Sequence, residues 1–571
     1  MLCGARLLAA SSVMAGVSAH AQAVGQSLPS REQIELPEIG DLRPVNQVRV
    51  DAQLAVSPCL FATSGLSADL RQLRFAQPDG SAIPPELADT LAKVRVSPGS
   101  QPVSNLCTVR DRANQALYDA GYVAHVQIPP QEITAGEALL HVVLARLVAV
   151  DVTGNAGPYQ GTLQARIAQL KALSPFNRFE AERILLLAGD IPGLDLTLGL
   201  RRAGTVPGEV TGDLVVRYSP FALILNAQNF GSKAIGRTTG TARAEYYGLT
   251  GLSDRTFVGV SSTADAKEQI SVQAGHYLGD SKGRTAGMRL SYAWSRPDLG
   301  LLDIRSRSVI AGLDFNVPLV RALTRNLNAG GGVELINQRI GLGSGNDRLT
   351  LTRDKLRVAF ATLSGSTRQL RLDGSTALSL GGTLELRQGL DVFGASERGE
   401  ISSDGTTPSR LEGNPTATVV RAGLETVAGR GLLSLAAQVQ AQWASDPLLS
   451  IEEYSVGNLT LGRGYDPGIT SGDKALGLRL EPRFQLPLRN LAVQMFAFHD
   501  RVRIWNLDGD AENGRTLRSW GGGTRIALPG LFLVEAIYAR PTDRGLAIVG
   551  APRASDRVLL SVTAQFPRSG R

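Results

Sequence analysis

Cysteine, methionine, tryptophan and histidine are scarce in this chain of 571 residues, numbering 3, 4, 4 and 5. So few sulfur and imidazole groups, with no C-x-x-C and no H-E-x-x-H, argue against a metal site. The G-x-S-x-G of serine hydrolases and the glycine-rich phosphate loop ending in Gly-Lys-Ser/Thr are absent too, so no cofactor is expected and an enzyme is disfavoured. Charge is sparse at 19%, and 59 Lys+Arg against 52 Asp+Glu leave a net charge of only +7. That excess gives no reason to expect a nucleic-acid partner. Beyond the N-terminus there is no run of 18 apolar residues, which excludes a helical membrane protein. It does not exclude a transmembrane β-barrel, whose alternating strands average to a mean hydropathy like the −0.01 found here. What the chain has in abundance is glycine, 63 residues, which with low charge favours a turn-rich β protein.

The N-terminus reads as a secretory signal over residues 1–23. Arg6 supplies the basic region, Leu7 to Val17 the short apolar core, and Ala19-His20-Ala21 or Ala21-Gln22-Ala23 the cleavage site. The competing reading is a buried N-terminal helix. Cys3 precedes the apolar core, where a lipoprotein cysteine does not sit. Cys59 and Cys107 then remain as an even pair in an exported chain and predict one disulfide, two separate thiols being the alternative. Closing a loop of about 49 residues is worth roughly 4 kcal/mol in the chain-entropy account.

Residues 24–58 are polar and proline-punctuated, a linker with a short helix expected near Ser30–Leu36 and a candidate plug segment. A first α/β module is predicted over 59–145. Asn105–Arg110 reads as a strand leading into a helix over Asp111–Ala120, on the spacing of Val109, Ala113, Leu117 and Ala120, with Gly121 as its stop. Tyr122–Ile128 and Ala138–Leu144 read as strands. A second module over 146–219 repeats the grammar: strand Leu147–Val152, helices around Leu163, Ile167, Leu170 and around Ala181, Ile184, Leu185, Ala188, then strands Leu194–Leu200 and Asp213–Tyr218. Tandem modules of this size in an exported chain are more often binding modules than enzymes.

From 220 to 571 helical periodicity gives way to two-residue alternation. Met288, Leu290, Tyr292 and Trp294 alternate with Gly287, Arg289, Ser291 and Ser295 among others; Leu433, Leu435, Val439 and Trp443 alternate with Ser434, Ala436, Gln440 and Gln442. About 16 such runs fit a transmembrane β-barrel of antiparallel strands, an even number of the kind single-chain outer-membrane proteins have. A soluble sandwich or solenoid also alternates, but its strands average about 5–6 residues, and many here reach the roughly 9–11 of a membrane-crossing strand. Tyr246, Tyr247, Trp294, Trp443 and Phe566 near strand ends suit interfacial aromatic girdles.

One segment, 454–470, stands apart. It contains Gly462-Arg463-Gly464-Tyr465-Asp466-Pro467-Gly468, an irregular glycine-rich backbone around one guanidinium able to fork onto a carboxylate. Gly462-Arg463-Gly464-Tyr465 resembles the (V/L)RG(F/Y) motif of the sixth loop in the Omp85 superfamily. Glu481-Pro482-Arg483-Phe484-Gln485-Leu486 resembles the strand that follows that loop, and Phe498-His499-Asp500 resembles the family's F-x-D element. Asp111-Arg112-Ala113-Asn114 with Gly121-Tyr122-Val123, Asn229-Phe230-Gly231, and Arg387-Gln388-Gly389-Leu390 with Phe393-Gly394-Ala395 are similar to the TpsB branch, the ShlB/FhaC-like transporters of two-partner secretion. Two departures stand out. The proline-rich 24–57 does not show the barrel-plugging helix that members often carry, and Phe566 is followed by Pro567–Arg571 where members end on an aromatic residue.

The resemblance implies POTRA-like modules in the periplasm, a barrel in the outer membrane, and an Arg463–Asp500 ion pair in the lumen. It implies secretion of a large partner exoprotein of the TpsA kind, contact with outer-membrane lipid, and the barrel assembly machinery as a partner during biogenesis. Unfolded cargo is expected at sheet edges around Val123, Val126, Leu194 and Leu196, the alternative being that these edges only pack the modules together. The other functional readings are an assembly factor for outer-membrane proteins and a passive porin with accessory domains.

Overall fold

A computed structural model describes residues 29–35, 58–59, 61–204, 208–298, 303–343, 349–371, 375–403, 405–488, 491–509, 513–547 and 553–566. The expected signal peptide and most of the linker lie outside the described residues. Two units separate: residues 45–218 with 321–323 form one, and the remainder forms the other.

The first unit holds two sheets of the same topology. Strands β1 (Ser67–Leu70), β2 (Gln72–Ala76) and β3 (Gly99–Pro102) accompany helices α2 (Pro85–Leu91) and α3 (Asn105–Asp119); β4 (Ala124–Gln127) and β5 (Glu137–Leu144) follow. β2 pairs parallel to β5, and β4 pairs antiparallel to β5. Then come β6 (Arg146–Asn155), α4 (Gln160–Lys171), α5 (Arg178–Gly189), β7 (Leu194–Arg202) and β8 (Glu209–Tyr218). Here β6 is parallel to β8, and β7 is antiparallel to it. The repeat is therefore strand, helix, helix, strand, strand, with the last strand central both times.

Residues 105–110 are helical, not the strand expected. Leu106 and Val109 already lie on the stripe that Ala113 and Leu117 continue, and all four are buried. The first strand of the three-stranded sheet and the helix after it, β2 and α2, escaped the sequence reading because β2 is short and only its Ala76 is buried. α3 does end before Gly121, whose φ of 87° suits glycine. Asn114 of the Asp111–Asn114 phrase accepts from the Val126 amide at 2.8 Å, tying α3 to β4. Cys59 and Cys107 form a disulfide that fastens residue 59 to α3.

The second unit is a closed barrel of sixteen antiparallel strands among the described residues. They are β9 (Phe221–Gln228), β10 (Thr239–Tyr247), β11 (Arg255–Thr263), β12 (Gln269–Gly279), β13 (Thr285–Ser295), β14 (Ile304–Arg321), β15 (Arg325–Leu342) and β16 (Leu349–Leu370). Next come β17 (Thr376–Gly389), β18 (Thr418–Arg430) and β19 (Leu433–Ala444), followed by a short inner hairpin of β20 (Tyr454–Val456) and β21 (Thr470–Gly472). The wall resumes with β22 (Lys474–Leu488), β23 (Leu491–Trp505), β24 (Thr516–Leu528), β25 (Phe532–Pro541) and β26 (Arg557–Phe566). β26 closes on β9 over six residue pairs, Ser561↔Gln228 to Phe566↔Leu223, the shortest ladder among the described wall pairings.

Period-two alternation explains the wall. Met288, Leu290, Leu313, Leu435, Trp443, Leu476 and Leu560 are exposed on the outer face, while Arg289, Glu334, Gln442, Glu481 and Asp500 point inward. Such an outer face would aggregate in water and is covered by acyl chains in a membrane. Tyr246, Trp443 and Phe566 are outward as expected, but Tyr247 is buried inside, where its hydroxyl donates to Glu245 at 2.7 Å. The one-residue difference in parity decides it. No described helix is long and apolar enough to cross a membrane. The chain enters the barrel at what is here termed the near end. The opposite, far end carries the long segments 390–417 and 445–473.

Candidate functional site

Two pieces of chain occupy the barrel interior. The first is the inward loop. Val456 and Leu461 pack on Ala475, Val502 and Ile504 of the inner wall. Gly477 makes room for this: a Cβ there would lie 2.4 Å from Leu461 Cδ1. Gly462 adopts φ 116°, a conformation that favours glycine, and turns Arg463 toward the wall.

The expected Arg463–Asp500 ion pair is not what forms. The Arg463 guanidinium pairs with Glu481 at 2.6 Å. Asp500 instead receives the backbone amides of Gly462 and Arg463, at 3.1 and 2.8 Å, and takes a forked Arg479 side chain at 2.7 and 3.0 Å. Asp500 has no exposure to solvent, and a fully buried carboxylate needs several donors at once. The loop backbone supplies two of them, and the neighbouring strand supplies the cation. Glu481, with 2% side-chain exposure, is held by Arg463, Arg483 and Arg525 together.

Phe498 serves as a floor. Gly521 and Gly523 on β24 lack the Cβ that would strike the Phe498 and Phe496 rings, at 2.9 Å each. The rings can therefore lie along the wall, and Arg463 sits 4.8 Å from the Phe498 centroid and 5.3 Å from that of Phe496.

Beyond Arg463 the loop reaches the barrel seam. The Gly464 amide donates to Ser519 Oγ at 3.2 Å. Tyr465, fully buried, donates from its hydroxyl to the Arg518 carbonyl at 2.8 Å. Arg557 of β26 holds the Tyr465 carbonyl at 2.7 Å and Asp466 at 2.9 Å. Arg237, two residues before β10, also pairs with Asp466, at 3.0 Å. The tip thus bridges the last strand and the connection that follows the first, beside their short ladder.

The second piece is α1 (Arg31–Ile34), a single turn within the expected Ser30–Leu36 helix. The Ser30 amide donates to Gln33 Oε1 at 3.0 Å at its start. Ile34 is fully buried among Ala293, Ile310, Ile336, Leu356, Val358, Leu449 and Ile451. Arg31 reaches Glu334 at 2.7 Å and Glu452 at 3.1 Å; Glu35 reaches Arg289 at 2.6 Å. Arg387, 2% exposed, joins Glu334 and Glu452 from the wall at 2.6 and 2.9 Å.

The sequence reading missed Glu481, Arg479, Arg557, Glu334 and Glu452. A signal for the first two was present, since Arg479, Glu481 and Arg483 share the inward parity of a strand whose other parity is Leu478, Leu480 and Pro482.

Of the cargo candidates, Val126 lies on β4, Leu194 and Leu196 on β7, and Val123 just before β4. Val126 lies in the first module's core with Leu140 and Val142. Val123, Leu194 and Leu196 lie in the core of the second module, so Val123 stitches the two modules together. Their side chains are not free to bind. The backbones of β4 and β7 nonetheless stand last in their sheets. Among the described residues no group of His, Cys, Asp and Glu could hold a metal ion.

A sixteen-strand wall with an apolar exterior, a charged interior and an arginine loop folded inside defines an outer-membrane barrel of the Omp85 type. The family model described as haemolysin secretion/activation protein ShlB/FhaC/HecB matches residues 214–526, more than half of the chain. The chain belongs to that family, the TpsB transporters of two-partner secretion, whose members secrete a partner protein across the outer membrane. Two solved structures are similar. CdiB from Escherichia coli has a TM-score of 0.67 at 16% identity, covering 90% of this chain and 93% of that one. CdiB from Acinetobacter baumannii has a TM-score of 0.60 at 14% identity, covering 98% of each. No curated protein matches the sequence.

Proposed function

We propose that this chain exports a large, unfolded exoprotein of the haemolysin, adhesin or toxin class through the barrel lumen, from the periplasm to the cell surface. In this reading the near end faces the periplasm, where no nucleotide is available, and folding of the cargo outside supplies the drive. The terminal strands β4 and β7 offer main-chain hydrogen bonds to an extended cargo, which needs little sequence in common. α1 closes the resting lumen, and the Arg463 loop lines the passage.

The observation that carries the reading is how the two inner pieces are fastened. Both are held to the wall by a small apolar contact, Ile34 in one and Val456 with Leu461 in the other, and by arginine–carboxylate pairs, which water and a passing peptide backbone can replace. The test is secretion by Arg463→Ala and by a deletion of 59–218. Both should lose cargo release while the barrel still inserts; normal release by either would sink the assignment.

A second reading, insertion of other outer-membrane proteins, draws on the six-pair β26–β9 ladder as a lateral opening. A disulfide between positions 225 and 564, which are paired across that ladder, separates the two: it blocks insertion and leaves lumenal export intact.

A further inference from the structure

The outer wall carries a site that transport does not use. Between β11 and β16 the outer face forms an open trough of about 780 Å³. Leu290, Leu313, Val333 and Leu335 line it, and all four are exposed. Phe393 forms part of its rim. This residue is 84% exposed and sits at φ 50°, a strained conformation for a bulky side chain. The chain around it is pinned beside β16, where the Leu390 amide donates to the Arg357 carbonyl at 2.7 Å and the Ser396 amide to the Lys355 carbonyl at 2.9 Å.

The head of the trough is basic. Leu335 pairs with Arg357, Asn337 with Lys355, and Arg339 with Arg353, so alternation puts all these side chains on the outer face. Arg357 is 8% exposed and donates only to neutral oxygens, among them the Leu356 carbonyl at 2.8 Å and Asn337 Oδ1 at 3.1 Å. Arg339 and Arg353 face each other directly, an arrangement that repels unless an anion lies between them. No described carboxylate forms an ion pair with Arg339, Arg353, Lys355 or Arg357. β16 runs for 22 residues, and about 9–11 suffice to cross the membrane, so its far third, with these cations, stands at or beyond the lipid headgroups.

We infer that this face binds a lipid whose headgroup carries phosphate monoesters, anionic and not offset by an amine on the same phosphate: acyl chains lie in the trough, and the phosphate sits among Arg339, Arg353 and Lys355. Phosphate takes the paired donors of an arginine fork, and the apolar floor selects an attached chain over free phosphate. The inference rests on the far end facing outward, but not on what passes through the lumen.

The test is native mass spectrometry of the full chain in micelles, titrated with bisphosphorylated lipid A, its dephosphorylated form and phosphatidylethanolamine. The phosphorylated lipid should bind about tenfold more tightly than either. The triple variant Arg339→Gln, Arg353→Gln, Lys355→Gln should lose that preference, and Ala311→Trp, which fills the trough, should weaken binding without altering charge. Equal binding by the triple variant, no discrimination between the lipids, or displacement by inorganic phosphate alone would overturn the inference. Secretion is read separately, so a failure of the transport reading would leave this result standing.

Discussion

The correction at Arg463 can be measured directly. If its side chain pairs with Glu481 and meets Asp500 only through backbone amides, energetic coupling must follow the same division. Two double-mutant cycles separate the possibilities: Arg463→Met with Glu481→Gln, and Arg463→Met with Asp500→Asn. Glu481 keeps Arg483 and Arg525, both at 2.7 Å, when Arg463 is removed. The loss is then one charge-assisted hydrogen bond, about 1.5–3 kcal/mol, rather than the roughly 3–5 kcal/mol of a stranded buried charge. Asp500→Asn weakens the acceptor of two amides and strips Arg479 of its counter-charge, with a cost of about 3–5 kcal/mol. Methionine at 463 retains the backbone amide, so the Arg463–Asp500 coupling should stay under about 0.5 kcal/mol, against about 1–2 kcal/mol for Arg463–Glu481. The assay is equilibrium urea unfolding in micelles, followed by the electrophoretic mobility of the folded barrel. A larger coupling to Asp500 than to Glu481 would refute the assignment.

Other outcomes follow from the same geometry. Gly464→Ala puts a Cβ 2.7 Å from Ser519 Cβ and 2.8 Å from the Pro541 nitrogen, so it should cost about 1–3 kcal/mol and expose the loop to trypsin without unfolding the wall. Removing the disulfide with Cys107→Ser should lower the stability of the 45–218 unit by about 2–4 kcal/mol, seen as an earlier thermal transition that reductant reproduces in the native chain. In the far-end loops, burial pushes the Glu453 carboxyl up to about 7; Asp473 and Asp508 add to the rise and Arg410 opposes it. The stability this group contributes is complete below its ordinary value of 4.5 and is lost as pH rises through about 7. Proteolysis of segment 390–417 should therefore quicken as pH rises from 4.5 to about 7 and level off above that, and Glu453→Gln should flatten that dependence.

Much of the barrel was legible because period two survives in the sequence wherever one face meets lipid, as in Leu433–Trp443. The loop was legible from its glycines and its single guanidinium. Its partner was not, since Asp500 and Glu481 both point inward and sequence spacing cannot rank two carboxylates on adjacent strands. Closure of the ring decides which one the guanidinium reaches. For the cargo candidates alternation marked Val126 and Leu196 as apolar, and their side chains are buried, because a strand that ends a sheet still buries one face. What such a strand leaves open is its backbone edge, which no side-chain pattern reports.

The charge pattern around α1 bears on how the lumen opens. Three wall arginines, Arg289, Arg387 and Arg421, surround it with four carboxylates, Asp314, Glu334 and Glu385 of the wall and Glu452 of the segment after β19. The segment contributes Arg31 against Glu32 and Glu35, one more carboxylate than cation. Its departure therefore removes net negative charge from the lumen, and neither Glu334 nor Glu452 is stranded. Glu334 keeps Arg387 and Arg289, and Glu452 keeps Arg387 and Arg421. The barrier to release then falls mainly on Ile34, whose burial is worth about 1.5–3 kcal/mol, a hold that a bound cargo segment can match. If α1 is the closure, Ile34→Ser should raise the conductance of single barrels in planar bilayers. Arg31→Gln should do so less, because Glu35 would still hold Arg289. The reverse order would place the hold in the ions and undo this account.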